Sequence, residues 1–275
     1  MIPEYKGGLP LYKDTDKRKS IALAFFDILG TSQKINSDQY DEIYDFYSYM
    51  VDLCSEEQIA ISFSNLPGHT RDGSDIVLSI PMKHAFFSDT FIIWIEYDEL
   101  FGMSLRGFFE KCMHIFTEAI RRGIPLRGAI SRGDAIMHEE KKLYLGKPIV
   151  EAARAEIAQN WLGIGVTRSF EEMCVSEARL VLPYEDHIKE SHFNSIKEYD
   201  DVLFVHCALD WPKYWRNMYD EDVIPFIKRM NNNYAFSSYY DNAIKFVNYS
   251  KENEDFWEDK LPPTPPLKPF IVSYD

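Results

Sequence analysis

The stretch SIALAFFDILGTSQKI, Ser20 to Ile35, contains the residues that decide how this chain folds. Its six apolar residues, Ile21 to Phe26, form a continuous run, which is typical of a central strand that is covered on at least one face. The run ends at Asp27, and a Gly-Thr-Ser cluster follows. A carboxylate at the end of a buried strand is costly unless a metal, a cation or a hydrogen-bonding loop stabilises it. Asp27 is therefore the first candidate functional residue.

The composition is that of a globular protein. The chain has 275 residues, of which 45% are hydrophobic, so it can form one large domain or two smaller ones around a full core. Its apolar runs are far shorter than the roughly 20 residues that span a bilayer, and the N-terminal MIPEYKGGLP has no signal-peptide pattern. We therefore expect a cytoplasmic protein that does not enter a membrane.

Charge and metal-ligand spacing argue against several function classes. The 44 acidic and 30 basic residues give a net charge of −14, which disfavours a surface that follows a nucleic acid backbone. The four cysteines include no C-x-x-C pair, and the seven histidines are scattered, so neither a zinc site nor a disulfide framework is indicated. Such an acidic protein can still bind an anionic small molecule if a divalent metal and local cations offset the repulsion.

Hydrophobic periodicity predicts two helices and a hairpin after the first strand. The hairpin has Ser88 and Asp89 at its corner, so a second carboxylate stands at a strand end. The second helix ends at Arg121 and Arg122, followed by Gly123, a typical C-terminal arrangement. The predicted elements are a helix over Asp38 to Cys54, strands over His84 to Phe87 and Thr90 to Tyr97, and a helix that begins at Ser104.

The next region adds strands and one helix. IPLRGAISRGDAIMH, Ile124 to His138, predicts a strand, a glycine-containing corner and another strand. KPIVEAARAEIAQNW, Lys147 to Trp161, predicts a helix that begins beside Pro148, and LGIGVT, Leu162 to Thr167, predicts a short strand. This order implies an α+β sandwich, a mixed and mainly antiparallel sheet with helices on one face.

We divide the chain into an N-terminal segment, residues 1–19, a core domain, residues 20–167, and a C-terminal extension, residues 168–275, packed on that domain. The extension is less regular and carries no motif that indicates a chemistry, so a dimerisation element and a lid are both open. Its predicted elements are helices over Ser169 to Ala178, Trp211 to Tyr219 and Tyr234 to Val247, and a strand over Asp201 to Leu209.

Asp27 and Asp89 have two interpretations. Each alone is explained by a common structural role, since Asp often caps a helix or turns a hairpin. Together, each beside an apolar strand, they favour a site in which two carboxylates from neighbouring strands share one or two magnesium ions and bind a triphosphate. The backbone N–H groups of the following turn would then face phosphate oxygens; they belong to Leu29, Gly30, Thr31 and Ser32.

A phosphatase is a minor alternative. FFDILGT resembles the D-x-D-G-T loop of haloacid-dehalogenase-type phosphatases, which form an aspartyl-phosphate. That chemistry needs a second Asp as acid and base, and Leu29 occupies its position.

Four segments together resemble the catalytic domains of class III nucleotidyl cyclases. AFFDILGTS, FFSDTFIIW, IPLRGAISRGDA and YLGKPIVEAARAE occur in the order and spacing of that family, over roughly Ser20 to Thr167. The resemblance implies a ferredoxin-like βαββαβ sandwich. It also implies that Asp27, Asp89 and the Ile28 carbonyl bind two Mg²⁺ or Mn²⁺ ions, and that Gly30, Thr31 and Ser32 contact substrate.

Two arginines are further candidate site residues, and the resemblance gives the role of the first of them. Arg154 in IVEAAR falls on the arginine that stabilises the phosphates in the transition state, a role that suits the planar guanidinium. Its alternative is a solvated helix arginine paired with Glu151 or Glu156. Arg127 is a candidate phosphate contact and equally a candidate buried ion pair.

Three positions depart from the pattern of adenylyl and guanylyl cyclases. Val150 replaces the transition-state asparagine, and Ala85 and Leu143 replace the two polar residues that read a purine. Because purine discrimination depends on paired polar groups, either the base is not a purine or the cyclase activity is lost.

The residues of these motifs are most similar to those of the bacterial Pycsar antiphage cyclases. That resemblance implies conversion of UTP or CTP to a 3′,5′-cyclic nucleotide, a homodimer with composite active sites, Arg154 coming from the second chain, and a separate effector that senses the product. A non-catalytic nucleotide-binding module and a purine cyclase remain as alternatives.

Overall fold

The computed structural model describes residues 18–31, 40–55, 82–96, 101–170, 180–183, 192, 207–231 and 237–254. Eight strands within these ranges form one sheet. They are β1 (Arg18–Ile28), β2 (Lys83–Phe87), β3 (Thr90–Glu96), β4 (Leu126–His138), β5 (Leu143–Gly146), β6 (Ile164–Val166), β7 (Val181–Pro183) and β8 (Cys207–Leu209). The order across the sheet is β2-β3-β1-β4-β6-β8-β7, and β5 pairs with β4.

Six helices accompany the sheet in the described ranges. They are α1 (Tyr40–Ser55), α2 (Phe101–Arg121), α3 (Lys147–Ala158), α4 (Trp211–Met218), α5 (Ile224–Met230) and α6 (Ser237–Glu252), with a short 3-10 helix at Arg168–Phe170. No helix in the described part of the chain has the length and hydropathy of a membrane span.

The first six elements have the ferredoxin-like order. They follow one another as β1, α1, β2, β3, α2 and β4, and their strands lie in the order β2-β3-β1-β4 with every pair antiparallel. The pair formed by β4 and β6 is parallel, so the sheet as a whole is mixed. The α+β prediction, with a mainly antiparallel sheet, is confirmed.

Strand β1 is buried on both faces. Ala22, Ala24 and Phe26 belong to the core that contains α1 and α2, whereas Ile21 and Leu23 belong to a second core that contains Ala152 of α3. The prediction of helices on one face only is therefore wrong. A continuous apolar run, rather than an alternating one, is the pattern of a strand that is covered on both sides.

The predicted corner in IPLRGAISRGDAIMH is also wrong. Strand β4 runs without a break and pairs with β1 from Arg18 opposite Ile136 to Ile28 opposite Leu126. Gly133 lies inside this ladder with a φ of 147°, a region that side chains rarely adopt. Glycine therefore permits the local distortion without ending the strand.

The C-terminal region continues the same sheet. Strands β7 and β8 extend it beyond β6, and the buried aromatic residues of α4 and α6 lie in the core that contains α2. The helices predicted over Trp211 to Tyr219 and Tyr234 to Val247 occur as α4 and α6, and α5 was not predicted. Most of the helix predicted over Ser169 to Ala178 and most of the strand predicted over Asp201 to Leu209 lie outside the described residues.

Candidate active site

The two predicted metal-binding aspartates lie close together, where β1 ends and β3 begins. Asp27 pairs with Thr90 in the ladder between β1 and β3, so Asp89 is the neighbour of its partner. The Ile28 N–H donates a hydrogen bond of 2.9 Å to the Asp89 carbonyl, which fixes the hairpin corner beside the end of β1. Both residues are half-buried, with Asp27 near the end of β1 and Asp89 in the turn between β2 and β3.

The electrostatics of this corner suit a bound cation. Burial raises the pKa of Asp27, and the Asp89 charge raises it further, while Arg127 lowers it. No group of three or more His, Cys, Asp or Glu side chains in the described ranges is arranged to hold a metal ion. Two carboxylates and a carbonyl suit magnesium, which usually keeps several waters and binds through one or two carboxylates and substrate phosphates.

The turn after β1 is held by its own hydrogen bonds. The Ile28 carbonyl, a predicted metal ligand, accepts a bond of 2.8 Å from the buried Thr31 hydroxyl. The Leu29 N–H donates to the Pro125 carbonyl at 2.9 Å, so the prediction that it faces a phosphate is wrong. Gly30 has a φ of 77°, which a glycine adopts without strain. Ser32 lies outside the described residues.

Arg127 brings a cation to the same corner. It stands opposite Asp27 in the ladder between β1 and β4 and is only 8% exposed. Its Nη2 lies 3.9 Å from Asp27 Oδ2, and its Nε donates to the carboxylate of Glu156, which is 2% exposed. The buried ion-pair interpretation of Arg127 is therefore confirmed, and its contact with a phosphate stays a prediction.

Arg154 does not reach the two aspartates within one chain. It is exposed on α3, on the same face as Val150, 51% exposed, and Ile157, 58% exposed. Glu156 follows two residues later, about 200° around the helix, and faces Arg127. Neither predicted partner of Arg154 is engaged with it, since Glu151 accepts a weak bond from the Ser169 N–H.

The comparisons with known proteins give distant structural likenesses only. No protein-family model matches the chain, and no curated protein matches it in sequence. The catalytic core of a rhodopsin-guanylyl cyclase with converted specificity, in complex with ATPαS, is 12% identical with a TM-score of 0.44, over 62% of this chain and 88% of that one. The guanylate cyclase domain of RhGC from Catenaria anguillulae, in complex with GTP, is 11% identical with a TM-score of 0.42. The match covers 62% of this chain and 89% of that domain.

A third likeness covers more of this chain. A class III adenylyl cyclase-like ATP-binding protein from Pseudomonas aeruginosa is 13% identical with a TM-score of 0.41, over 91% of this chain and 47% of that one. At these levels of similarity, the function of this protein has to be inferred from its own residues.

The two positions that the sequence predicts to replace purine-reading residues, Ala85 and Leu143, carry no polar side chain. Ala85 is buried in the core on the α3 side of the sheet, beside Ile92 and Trp94, and Leu143 is exposed at the start of β5. Next to Leu143, the ring of Tyr144 lies edge-on to Phe87 at 5.9 Å and to Trp94 at 5.5 Å. This part of the sheet is therefore aromatic and apolar.

Sequence reasoning missed two residues of the site. Tyr47 falls within the helix predicted over Asp38 to Cys54 and is given no functional role there, yet its hydroxyl donates to the Ser88 carbonyl at 2.7 Å. Burial raises its pKa, and the charges of Asp89 and Asp27 raise it further. Glu156 is considered only as a partner of Arg154, whereas it pairs with Arg127. Both contacts join elements far apart in sequence, and helical spacing gives no signal for them.

Glu156 gives a testable pH dependence. Burial raises its pKa to about 7, and the charges of Asp27 and Asp89 add to the effect while Arg127 opposes it. A raised carboxyl pKa means that the folded chain holds a proton that the unfolded chain has lost, so the free energy of unfolding falls as pH rises from about 4.5 to about 7. We expect Glu156 to contribute a loss of up to about 3 kcal/mol over this range in metal-free buffer.

Urea unfolding at pH 4.5 and pH 7.5 measures this difference. Glu156→Gln stays neutral and should show a smaller loss than the unmodified protein between the two pH values. Glu151→Gln, a buried glutamate of the same helix, is the matched control and should keep the original difference. An unchanged pH dependence in Glu156→Gln would contradict the assignment.

Proposed function

We propose that this protein is a nucleotidyl cyclase, which converts a nucleoside triphosphate to its 3′,5′-cyclic nucleotide and pyrophosphate. The observation that carries the proposal is that Asp27 on β1 lies beside Asp89 in the turn between β2 and β3, with Arg127 next to Asp27. A pair of half-buried carboxylates next to a buried arginine is an arrangement that can bind a metal-complexed triphosphate.

The reaction would be an intramolecular displacement at the α-phosphorus. The ribose 3′-oxygen forms a bond to that phosphorus, the bond to the β-phosphate bridging oxygen breaks, and the 3′-hydroxyl proton passes to solvent. Asp27 and Asp89, with the Ile28 carbonyl, would hold two Mg²⁺ or Mn²⁺ ions, which activate the hydroxyl and neutralise the departing pyrophosphate. Arg127 supplies a positive charge for a phosphate oxygen, and Gly30 lets the chain turn closely around the bound phosphates.

We further propose that the active site is completed by a second copy of the chain. Arg154 stands on an exposed apolar face of α3, between Val150 and Ile157, and β5 adds the exposed Leu143 and Leu145. Exposed apolar residues grouped around one arginine are the composition of an interface centre. A homodimer would bury this face and bring Arg154 of one protomer to the aspartates of the other.

We propose a pyrimidine substrate, UTP or CTP. Ala85, Leu143 and Val150 offer no polar group where purine nucleotide cyclases position the base and the ribose, and the neighbouring surface is aromatic. A site without those hydrogen-bonding groups loses its means of selecting a purine. A cyclic pyrimidine nucleotide would then serve as a Pycsar-type antiphage signal for a separate effector protein.

Incubation with each of the four nucleoside triphosphates and Mn²⁺, followed by mass analysis of the products, tests this proposal. We expect cyclic UMP or cyclic CMP at least about tenfold above cyclic AMP and cyclic GMP. Asp27→Asn is the matched negative control. A purine product as the main product would contradict the pyrimidine assignment, and binding without any cyclic product would favour the non-catalytic module, for which Val150 is the specific indication.

A further inference from the structure

The guanidinium of Arg127 is anchored on one side only. Its Nε donates to Glu156, and its Nη1 donates to the Gln159 carbonyl at 2.7 Å and to the Tyr239 hydroxyl at 3.4 Å. The remaining nitrogen, Nη2, faces Asp27 Oδ2 at 3.9 Å, which is longer than a hydrogen bond. The anchors therefore set both the direction of the guanidinium and its distance from Asp27.

One of these anchors comes from the C-terminal region. Tyr239 lies in the first turn of α6, and the Arg127 guanidinium carbon is 5.5 Å from the centre of its ring. Helix α6 is itself fixed to the segment after α3, because the Asn242 side chain donates to the Asn160 carbonyl at 2.8 Å and Ser238 donates to the Asn160 side chain at 3.1 Å. The position of Tyr239 is thus coupled to the same segment that supplies the Gln159 carbonyl.

We infer that Glu156 and Tyr239 are positioning residues for Arg127, so that the C-terminal region takes part in the candidate active site. The inference rests on the proposed function, because Arg127 is useful in this orientation only if the corner binds a metal-complexed triphosphate. Held at 3.9 Å, Arg127 leaves Asp27 available to a metal while directing Nη2 toward the phosphates. Released from its anchors, the flexible side chain would close a direct pair with Asp27 and withdraw from the phosphates.

Binding of inorganic triphosphate in the presence of Mn²⁺, measured by titration calorimetry, tests the inference without depending on the base or on turnover. A first titration with Mn²⁺ alone gives the metal affinity, and a second with triphosphate at saturating Mn²⁺ gives the phosphate affinity. We expect Glu156→Gln to weaken triphosphate binding by about tenfold, since an anchor that involves a charged group is lost. Tyr239→Phe should weaken it by about threefold, since only one long hydrogen bond of 3.4 Å from the guanidinium is lost.

Tyr239→Phe is the decisive variant because it changes no charge. An effect of Glu156→Gln alone could arise from the field of the missing carboxylate, whereas Tyr239→Phe removes a hydroxyl that accepts a hydrogen bond from Arg127 without changing any charge. Tyr240→Phe is the matched control, since Tyr240 is the next residue of α6 and packs in the apolar core. It should bind triphosphate like the unmodified protein, and thermal unfolding of each variant identifies any loss of fold.

Several outcomes would overturn the inference. Unchanged triphosphate binding in Tyr239→Phe and Glu156→Gln, with binding lost in Arg127→Gln, would mean that Arg127 needs no positioning. Equal weakening in Tyr240→Phe would mean that the effect is a general loss of packing. These results differ from a failure of the proposed function, in which the unmodified protein binds triphosphate but forms no cyclic product. A lack of triphosphate binding in the unmodified protein would overturn both.

Discussion

Asparagine in place of Asp27 or Asp89 is expected to lower turnover at least about a thousandfold, because metal ions contribute several kcal/mol to transition-state stabilisation and the two carboxylates are the charged members of their proposed protein ligand set. The shape of the side chain is kept, so the change removes the charge alone. Turnover is measured with the preferred nucleotide at saturating Mn²⁺. The midpoint of thermal unfolding in EDTA reports the stability of each variant.

The stability of Asp27→Asn should equal or exceed that of the unmodified protein. Burial and the Asp89 charge raise the pKa of Asp27, which means that its ionised form is disfavoured in the folded chain. A neutral amide removes that penalty, at the expense of a 3.9 Å interaction with Arg127. The rise in unfolding temperature that Mn²⁺ produces in the unmodified protein should be lost in the variant, since metal binding stabilises only a folded site.

Asp134→Asn is the matched control for this experiment. Asp134 is also a β-strand aspartate, at the other end of the pair formed by β1 and β4, where it stands opposite Ser20. Its replacement should leave turnover and the effect of Mn²⁺ unchanged. Full activity in Asp27→Asn and in Asp89→Asn would end the assignment of the metal site, whatever the identity of the nucleotide.

The fold was predictable where a local pattern determines an element. The apolar run of Ile21 to Phe26, the hairpin corner at Ser88 and Asp89 and the helix that ends just before Gly123 each carry their signal within a few residues. All three occur in the structure. The glycine of β4 misled the prediction, because Gly133 serves a distortion inside a ladder and not a corner. Glycine alone does not distinguish these two uses.

The candidate site was predictable only in part, for a physical reason. Asp27 and Asp89 stand out because a charge beside an apolar strand is unusual, and this is visible in the sequence. The partners of Arg127 are not visible, since Glu156 and Tyr239 reach it from 29 and 112 residues away. Such contacts depend on how α3 and α6 pack, and neither helix shows in its own sequence which side will face an arginine.

An inactive Asp27→Asn protein mixed with an inactive Arg154→Ala protein is expected to regain activity. If the site is composite, each heterodimer of the two variants contains one site with both defects and one site with none. An equal mixture should then reach about a quarter of the original activity, because half of the dimers are heterodimers and each of these has one intact site of two. Cyclic nucleotide formation is measured after the two variants have been incubated together long enough to exchange subunits.

The mixture distinguishes a composite site from a site within one chain. Arg154 is exposed on α3, and Glu156 on the opposite side of that helix faces Arg127, so a role for Arg154 within its own chain would require α3 to turn. Arg106→Ala removes an exposed arginine of α2 that pairs with Glu110 at 3.0 Å, and as a control it should remain fully active by itself. If Arg154→Ala is inactive and the mixture stays inactive although capture of an affinity-tagged Asp27→Asn chain recovers the untagged Arg154→Ala chain, Arg154 acts within its own chain or through the fold, and the composite site is excluded.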